Sequence, residues 1–296
     1  MREAQNSEIQ GGSGEFVMTE ADFSAIARLL YEDAGIALSP SKTTLVYSRL
    51  AKRLRALGLS SFKDYCSYVA GAEGASERMT MLAALTTNVT HFFRENHHFE
   101  HLKTQLLPPL LADVKRGGRV RIWSAGCSNG HEPYSIALTI LSLMPDAPAY
   151  DVRVLASDID PNVVAFGRAG IYDAQTLEAV PQDLRRRWFS PVRDPDTNAM
   201  SFQVADEMRE LISFRELNLI GNWPMKGKFN AIFCRNVTIY FDQPTRERIW
   251  ERFCNYLQPG GWFYMGHSER LTGPATTHLS YAGTTAYRKG GAGDGK

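Results

Sequence analysis

Trp123-Ser124-Ala125-Gly126-Cys127-Ser128-Asn129-Gly130-His131-Glu132-Pro133-Tyr134-Ser135 reads as the end of a strand, a glycine-containing turn and the start of a helix. Open α/β sheets bind ligands at such turns, outside the carboxyl ends of their strands. Gly126 and Gly130 let the backbone turn tightly and approach a ligand closely. The same pattern also serves as a plain structural turn. Its spacing is G-x-x-x-G, which is neither the dinucleotide fingerprint G-x-G-x-x-G nor the Walker loop G-x-x-x-x-G-K-[ST]. It therefore offers no lysine to a nucleoside triphosphate.

Working outward, the apolar run Val120–Ala125 precedes this turn and helical periodicity over Glu132–Leu143 follows it. A second run, Val152–Ser157, leads into Asp158-Ile159-Asp160-Pro161. An acid at the end of the second strand is placed to accept hydrogen bonds from both hydroxyls of a ribose. Asp158 follows the apolar run directly and is the first choice, whereas Asp160 can instead cap the helix begun by Pro161. A ribose acid without a phosphate-binding lysine favours an adenosine-containing ligand lacking a phosphate tail, and S-adenosylmethionine fits that description. Further strands are expected at Leu211–Arg215, Phe229–Cys234 and Trp262–Met265, with helices at Pro161–Ala169 and Pro244–Leu257. This alternation predicts a parallel sheet covered on both faces. Residues 181–209 break it: Trp188, Phe189, Phe202 and Val204 flank Asp194-Pro195-Asp196-Thr197-Asn198, which reads as a small antiparallel hairpin, either decorative or a docking surface.

The first part of the chain is helical throughout. Thr19 and Asp22 form a capping pair ahead of Phe23, Ile26, Leu29 and Leu30. Ser41 is expected to cap a second helix carrying Val46, Leu50, Leu54 and Leu57, stopped by Gly58. Two more helices are expected over Ser61–Ala70 and Ser76–Leu85. The organisation read from the sequence is a disordered tail at 1–17, a helical domain at 18–95, a linker at 96–118 punctuated by Pro108-Pro109 and Gly117-Gly118, the α/β domain at 119–289 and a second disordered tail at 290–296.

Composition narrows the function classes. With 33 Lys plus Arg against 32 Asp plus Glu, the formal charge of +1 lacks the basic signature of a general nucleic-acid binder. No apolar run reaches the roughly 18 residues of a membrane span, and the first residues carry no signal-peptide core. The 4 cysteines, Cys66, Cys127, Cys234 and Cys254, form neither a disulfide framework nor a C-x-x-C pair. The expectation is a reduced, cytoplasmic protein. His97, His98 and His101 read as ordinary helix residues, with no metal. Cys127 and Cys234 are read as thiols that can confer oxidation sensitivity without acting as nucleophiles. From Ile36 through Phe62 there is no acid, while Lys42, Arg49, Lys52, Arg53 and Arg55 accumulate beside and behind the apolar stripe. Such an arc is either a solvated helix face or a docking face for an acidic partner, sensitive to salt.

Thr86-Thr87-Asn88-Val89-Thr90-His91-Phe92-Phe93-Arg94-Glu95 is similar to the block that opens the chemotaxis receptor methyltransferase (CheR) family. Glu132-Pro133-Tyr134-Ser135, Ala156-Ser157-Asp158-Ile159-Asp160, Cys234-Arg235-Asn236-Val237 and Ile239-Tyr240-Phe241-Asp242 resemble its later blocks, in order, and the likeness spans nearly all of residues 18–288. The resemblance implies a Rossmann-like S-adenosylmethionine-dependent methyltransferase sheet domain with a small antiparallel β insertion, preceded by an all-α domain. It implies methyl transfer from S-adenosylmethionine to receptor glutamates, yielding glutamyl methyl esters and S-adenosylhomocysteine. Carried over by position, Asn88, Thr90 and Arg94 would contact the methionine end of the cofactor, Glu132 its ammonium and Asp158 its ribose. Asn218-Leu219 and Asn236-Val237 would surround adenine and sulfonium. Arg94 and Tyr240 are the candidate catalytic residues, Tyr240 holding the substrate carboxylate unless it merely packs at a sheet edge. The basic helix would meet the cytoplasmic domain of a methyl-accepting receptor, within receptor arrays.

Two departures stand out. Many relatives carry an acid where this chain has His131, and the Ser190–Met200 loop is longer than in relatives whose insertion grips a receptor pentapeptide, which suggests independence from that tether. The alternatives from other classes are a small-molecule carboxylate methyltransferase and a binding module that senses S-adenosylmethionine without turnover.

Overall fold

The computed structural model describes residues 15–86, 89–193 and 198–291. By contact density the chain divides into two units, one running to Thr87 and including Tyr240–Asp242, the other holding the remainder. Most of both expected tails, residues 1–14 and 292–296, and the turn 194–197 lie outside the described residues.

The first unit is built from α1 (Glu20–Ala34), α2 (Thr43–Leu57), α3 (Phe62–Ala70) and α4 (Ala75–Leu85). Thr19 and Asp22 cap α1 reciprocally: the Thr19 amide donates to Asp22 Oδ2 at 2.9 Å and the Asp22 amide to Thr19 Oγ1 at 3.2 Å. Gly35 (φ 72°) and Gly58 (φ 68°) end α1 and α2 in the left-handed conformation that a Cβ disfavours. Ser41 does not cap α2; it lies in a single 3₁₀ turn, Pro40–Lys42, and α2 starts behind Lys42 with no side-chain cap. Proline at the start of that turn presets its backbone, so the cap is replaced by a preceding helical turn. Ile26, Leu30, Val46, Leu50, Leu54, Phe62 and Val69 form the fully buried core.

One buried carboxylate organises this unit's polar interior. Glu77, 5% exposed, receives both arms of the Arg53 guanidinium at 2.9 and 2.7 Å and the Tyr65 hydroxyl at 3.0 Å. Arg49 donates to the Ala84 and Thr86 carbonyls at 3.0 and 2.6 Å, closing the end of α4. Arg55 pairs with Glu15 at 2.7 Å, both more than half exposed. The arc of five basic residues is therefore not one free face: two arginines hold the helices together, and Lys42 and Lys52 are the exposed lysines among the five.

The second unit begins with α5 (His97–His101), a π-helical turn at Leu102–Leu106 and α6 (Leu107–Val114). This corrects the linker expected at 96–118. Pro108-Pro109 reads as punctuation, yet both prolines lie in the first turn of α6, where a missing N–H costs no helical bond. Leu102 and Leu107 are fully buried.

The sheet strands and their helices follow in chain order: β1 (Val120–Ala125), α7 (His131–Leu143), β2 (Val152–Asp158), α8 (Pro161–Ala169), β3 (Ile171–Asp173), α9 (Gln182–Trp188), β4 (Phe189–Arg193), β5 (Met200–Val204), α10 (Asp206–Glu210), β6 (Ile212–Glu216), β7 (Phe229–Cys234), α11 (Gln243–Tyr256), β8 (Leu257–Met265), β9 (Leu279–Gly283) and β10 (Ala286–Lys289). The main sheet has the order β6-β2-β1-β7-β8-β10-β9. From β6 to β8 the neighbours are parallel, and β10 and β9 add an antiparallel edge that the sequence reading omits. The order reverses at β1, whose neighbours are β2 and β7, so the topological switch lies at the turn that opens the sequence argument. The insertion is a three-stranded antiparallel sheet, β3-β5-β4, and it starts at Ile171, before residue 181, because Ile171–Asp173 pairs with β5.

Replacing Glu77 with Ala leaves the Arg53 guanidinium and Tyr65 hydroxyl without their shared acceptor. A loss of roughly 2 kcal/mol is expected for hydrogen bonds to a buried charge. Thermal melting should report it as a drop of several degrees, whereas Lys52→Ala should leave the midpoint unchanged.

Candidate functional site

Four loops at the carboxyl ends of β1, β2, β6 and β7 and the segment around Arg94 carry the expected cofactor residues of the second unit. The β1 turn is set by hydrogen bonding to β2: the Gly126 and Cys127 amides donate to the Ser157 carbonyl at 2.8 and 2.9 Å. Gly126 has φ 82°, and a Cβ there would stand 2.3 Å from Val237 Cγ2. A larger residue would be strained there and would have to displace Val237, and this closeness brings the β1 turn against the β7 loop.

Asp158 ties that turn to the second strand. Its Oδ2 accepts the Ser128 amide at 2.8 Å and its Oδ1 the Asp160 amide at 3.1 Å. Burial pushes the Asp158 carboxyl up, and the two amide bonds oppose that by favouring the charged form. Each oxygen keeps a further lone pair for a hydroxyl donor. Asp160 is spent otherwise: its Oδ1 accepts the Asn162 amide at 2.9 Å and caps α8. The two acids thus separate into a turn acid and a cap.

Glu132, in the first turn of α7, accepts the Ser124 hydroxyl at 2.7 Å and Arg235 Nη1 at 3.1 Å. Burial raises its pKa, and Arg235 and Ser124 work against that rise. Arg235 follows β7 directly, and its side chain is 2% exposed. It also donates to the Arg94 carbonyl, lies 3.4 Å from Glu95 Oε2 and stands 5.5 Å from the centre of the Phe99 ring. Arg94 itself donates to the Val89 carbonyl at 2.8 Å, bracing Thr90 between them. Asn88 lies outside the described residues. Phe93 and Glu95, on either side of Arg94, both hold positive φ, 52° and 56°. Such backbone strain is kept only where surrounding contacts enforce it. Here they are the Ser135 hydroxyl on the Phe93 amide at 2.9 Å and His267 on Glu95 at 2.8 Å. Burial alone would raise Glu95, yet the His267 hydrogen bond and the Arg235 guanidinium bring its pKa down to about 2.

After β6, Asn218 Oδ1 accepts the Ile220 amide at 3.1 Å and Leu219 is buried. Arg252 on α11 fixes this loop by donating to the Leu219 and Gly221 carbonyls at 2.9 and 2.7 Å, with its guanidinium 4.0 Å from the Trp223 ring centre. After β7, Asn236 adopts φ 59°, and Val237 meets Gly126.

Thr90, Arg94, Glu132, Asp158, Asn218, Leu219, Asn236 and Val237 thus belong to one unit. Tyr240 groups with the helical unit, where its carbonyl accepts the Ala37 amide at 2.8 Å. Lys42, Arg49, Lys52, Arg53 and Arg55 are helical-unit residues as well. Arg235 is the residue that sequence reading missed. Its signal is a charge placed directly after a strand whose six residues are all buried, so that it must find partners inside.

Burial decides the state of several other residues singled out in the sequence. His131, where many relatives carry an acid, is buried against Phe92 and Tyr172, at 4.9 and 5.1 Å between rings, and burial with His91 nearby lowers its pKa to about 4 despite Asp173, so a neutral ring stands there. Cys127 and Cys234 are both buried, and burial pushes them well above the usual thiol range, which disfavours the reactive thiolate. Glu95, His97 and His98 bring ligand atoms within 4.8 Å of one another, but Arg235 already supplies the cation at Glu95. A cleft of about 350 Å³ elsewhere in the unit, with Phe93, Phe99, Lys103 and Leu184 among its walls, takes in none of the expected cofactor residues.

Comparison with known proteins gives the arrangement its family. Residues 21–86 match the CheR methyltransferase all-alpha domain, and residues 88–288 match the CheR methyltransferase SAM binding domain. A probable chemotaxis protein methyltransferase of Rhizobium etli is 55% identical over 260 residues, covering 88% of this chain and 96% of the relative. Chemotaxis protein methyltransferase 2 of Pseudomonas aeruginosa is 43% identical, covering 93% and 95%, and the Escherichia coli chemotaxis protein methyltransferase is 40% identical, covering 86% of each. Two domain models that meet at the boundary between the two units, with relatives matched along most of their length, place the chain in the CheR methyltransferase family.

Proposed function

We propose that this chain transfers a methyl group from S-adenosylmethionine to side-chain carboxylates of glutamates in methyl-accepting chemotaxis receptors, forming glutamyl methyl esters. The observation that carries the reading is the β1 turn: Gly126 pressed on Val237, with Asp158 on the Ser128 amide and Glu132 in the first turn of α7. This cradle offers two carboxylates to a ligand that is cationic at one end and carries a ribose, and it holds no phosphate-binding lysine. S-adenosylmethionine fits those donors and acceptors. When bound, it supplies a methyl group already activated on a sulfonium.

The chain's own residues then bind, orient and exclude water. Asn88, Thr90 and Arg94 hold the methionine end, the Arg94 guanidinium suiting a carboxylate through paired hydrogen bonds. Glu132 attracts the ammonium, and Asp158 accepts from the ribose. Asn218-Leu219 and Asn236-Val237 line the adenine and sulfonium. The acceptor needs no general base, because a glutamate with an ordinary pKa of about 4.3 is ionised near neutrality. Catalysis is therefore in-line positioning in a desolvated site, and no metal is required of these residues. Tyr240 is proposed to hold the substrate carboxylate through its hydroxyl. For receptor docking, exposed Lys42 and Lys52, with Arg55 in a weak surface pair, are better placed to attract an acidic helix than Arg49 and Arg53, which are engaged internally. No helix among the described residues is long and apolar enough to cross a membrane. The setting proposed is the cytoplasm, at receptor arrays.

Incubation with labelled S-adenosylmethionine and receptor-rich membranes tests the reading, the expected outcome being base-labile methanol release from a receptor band. Label appearing only on a small acid, or bound label never transferred, would overturn it. Asp158→Ala should weaken cofactor binding by about tenfold or more in calorimetry, the scale of hydrogen bonds to a charged group. Tyr240→Phe should lower kcat while leaving cofactor Kd unchanged. The receptor KM should rise with added salt over the range where exposed charges are screened, and Lys52→Glu should flatten that dependence.

A further inference from the structure

Glu269 lies in the turn Gly266–Glu269 directly after β8, is 6% exposed, and does not figure among the expected cofactor residues. Its carboxylate accepts four hydrogen bonds. Oε2 takes the amides of Asn236 and Gly266, both at 2.7 Å. Oε1 takes the Thr238 amide at 2.8 Å and the Thr238 hydroxyl at 2.6 Å. The amides on either side of Val237 are thus bound to one carboxylate, while the Val237 side chain lies against Gly126. Asn236 between strand and loop holds φ 59°, in the left-handed region that asparagine enters more readily than most non-glycine residues. Gly266 completes the fit, since a Cβ there would stand 2.5 Å from Asn236 Nδ2. From the same turn His267 donates its amide and offers Nδ1 to Glu95, beside Arg94, at 3.2 and 2.8 Å.

We propose that Glu269 is a positioning residue that holds the Asn236–Thr238 loop in the shape the cofactor site requires, the turn after β8 serving as the support for that side of the site. The proposal rests on the cofactor reading given above. Three backbone and hydroxyl donors converge from the loop and one from the turn itself, and only a carboxylate presents acceptors to all of them at once. An amide in its place turns an N–H toward another N–H.

Glu269→Gln should bind S-adenosylhomocysteine about tenfold or more weakly in calorimetry well below its melting temperature. In the methylation assay the KM for S-adenosylmethionine should rise while the receptor KM stays put. A lowered melting temperature with unchanged cofactor Kd would mean a purely structural role and would overturn the proposal. If Glu269→Gln fails to fold, Thr238→Val, which deletes one of the four bonds, decides: weaker cofactor binding is expected, and wild-type affinity would overturn the proposal. Asp158→Ala separates the two levels. If the wild type does not retain S-adenosylhomocysteine, or Asp158→Ala binds as well as the wild type, the cofactor reading fails. If Asp158→Ala weakens binding and Glu269→Gln does not, only the assignment of Glu269 fails.

Discussion

A guanidinium taken out of water is a liability unless partners surround it, and at Arg235 both Nη groups find acceptors while the buried Nε has none. Desolvating the charge costs several kcal/mol before any attraction is counted. The return comes from Glu132 on α7, and from Glu95 and the Arg94 carbonyl next to it, three groups from two stretches of chain. Those stretches are the segments that carry the expected methionine-end contacts. The ion pairs make little case for stability, but they tie the segment around Arg94 and the start of α7 to the residue that follows β7. The positive φ values at Phe93, Glu95 and Asn236 are the strain that this arrangement retains.

The same geometry engages the largely buried carboxylates of this unit. Glu132 and Glu95 are both engaged by Arg235, and Asp158 is held by the amides of Ser128 and Asp160. A cationic ligand therefore meets carboxylates that are already oriented and partly neutralised.

Much of the fold was legible because it rests on local patterns. Val120–Ala125, Phe229–Cys234 and Pro161–Ala169 coincide with observed elements, since continuous apolar runs and a proline start are unambiguous signals. Thr19 was readable as a cap for the same reason. What escaped depends on distant partners. The antiparallel edge β9-β10 is short, and only pairing with β8 makes it a strand. The helices at 97–114 were masked by two prolines that break a helix in its interior but not in its first turn. At the site, Asp158 and Gly126 stood out because their roles are set by the strand ends they follow. Arg235 and Glu269 did not, because their partners lie up to 141 and 33 residues away along the chain. Basic residues on α2 misled for a related reason: helical spacing shows which residues share an arc, but not that Glu77 waits opposite Arg53.

The state of the thiols has a practical consequence. Cys127, Cys234 and Cys254 are buried and Cys66 is half-buried, and burial lifts Cys66 to about 12 and Cys254 to about 11. With burial and so little thiolate near neutrality, the native cysteines are expected to react slowly with maleimides or other alkylating probes. A single cysteine engineered onto an open surface would take up a fluorophore or spin label ahead of all four. The chain is in that sense already a background suited to distance measurements between its two units, without first being stripped of its own sulfur.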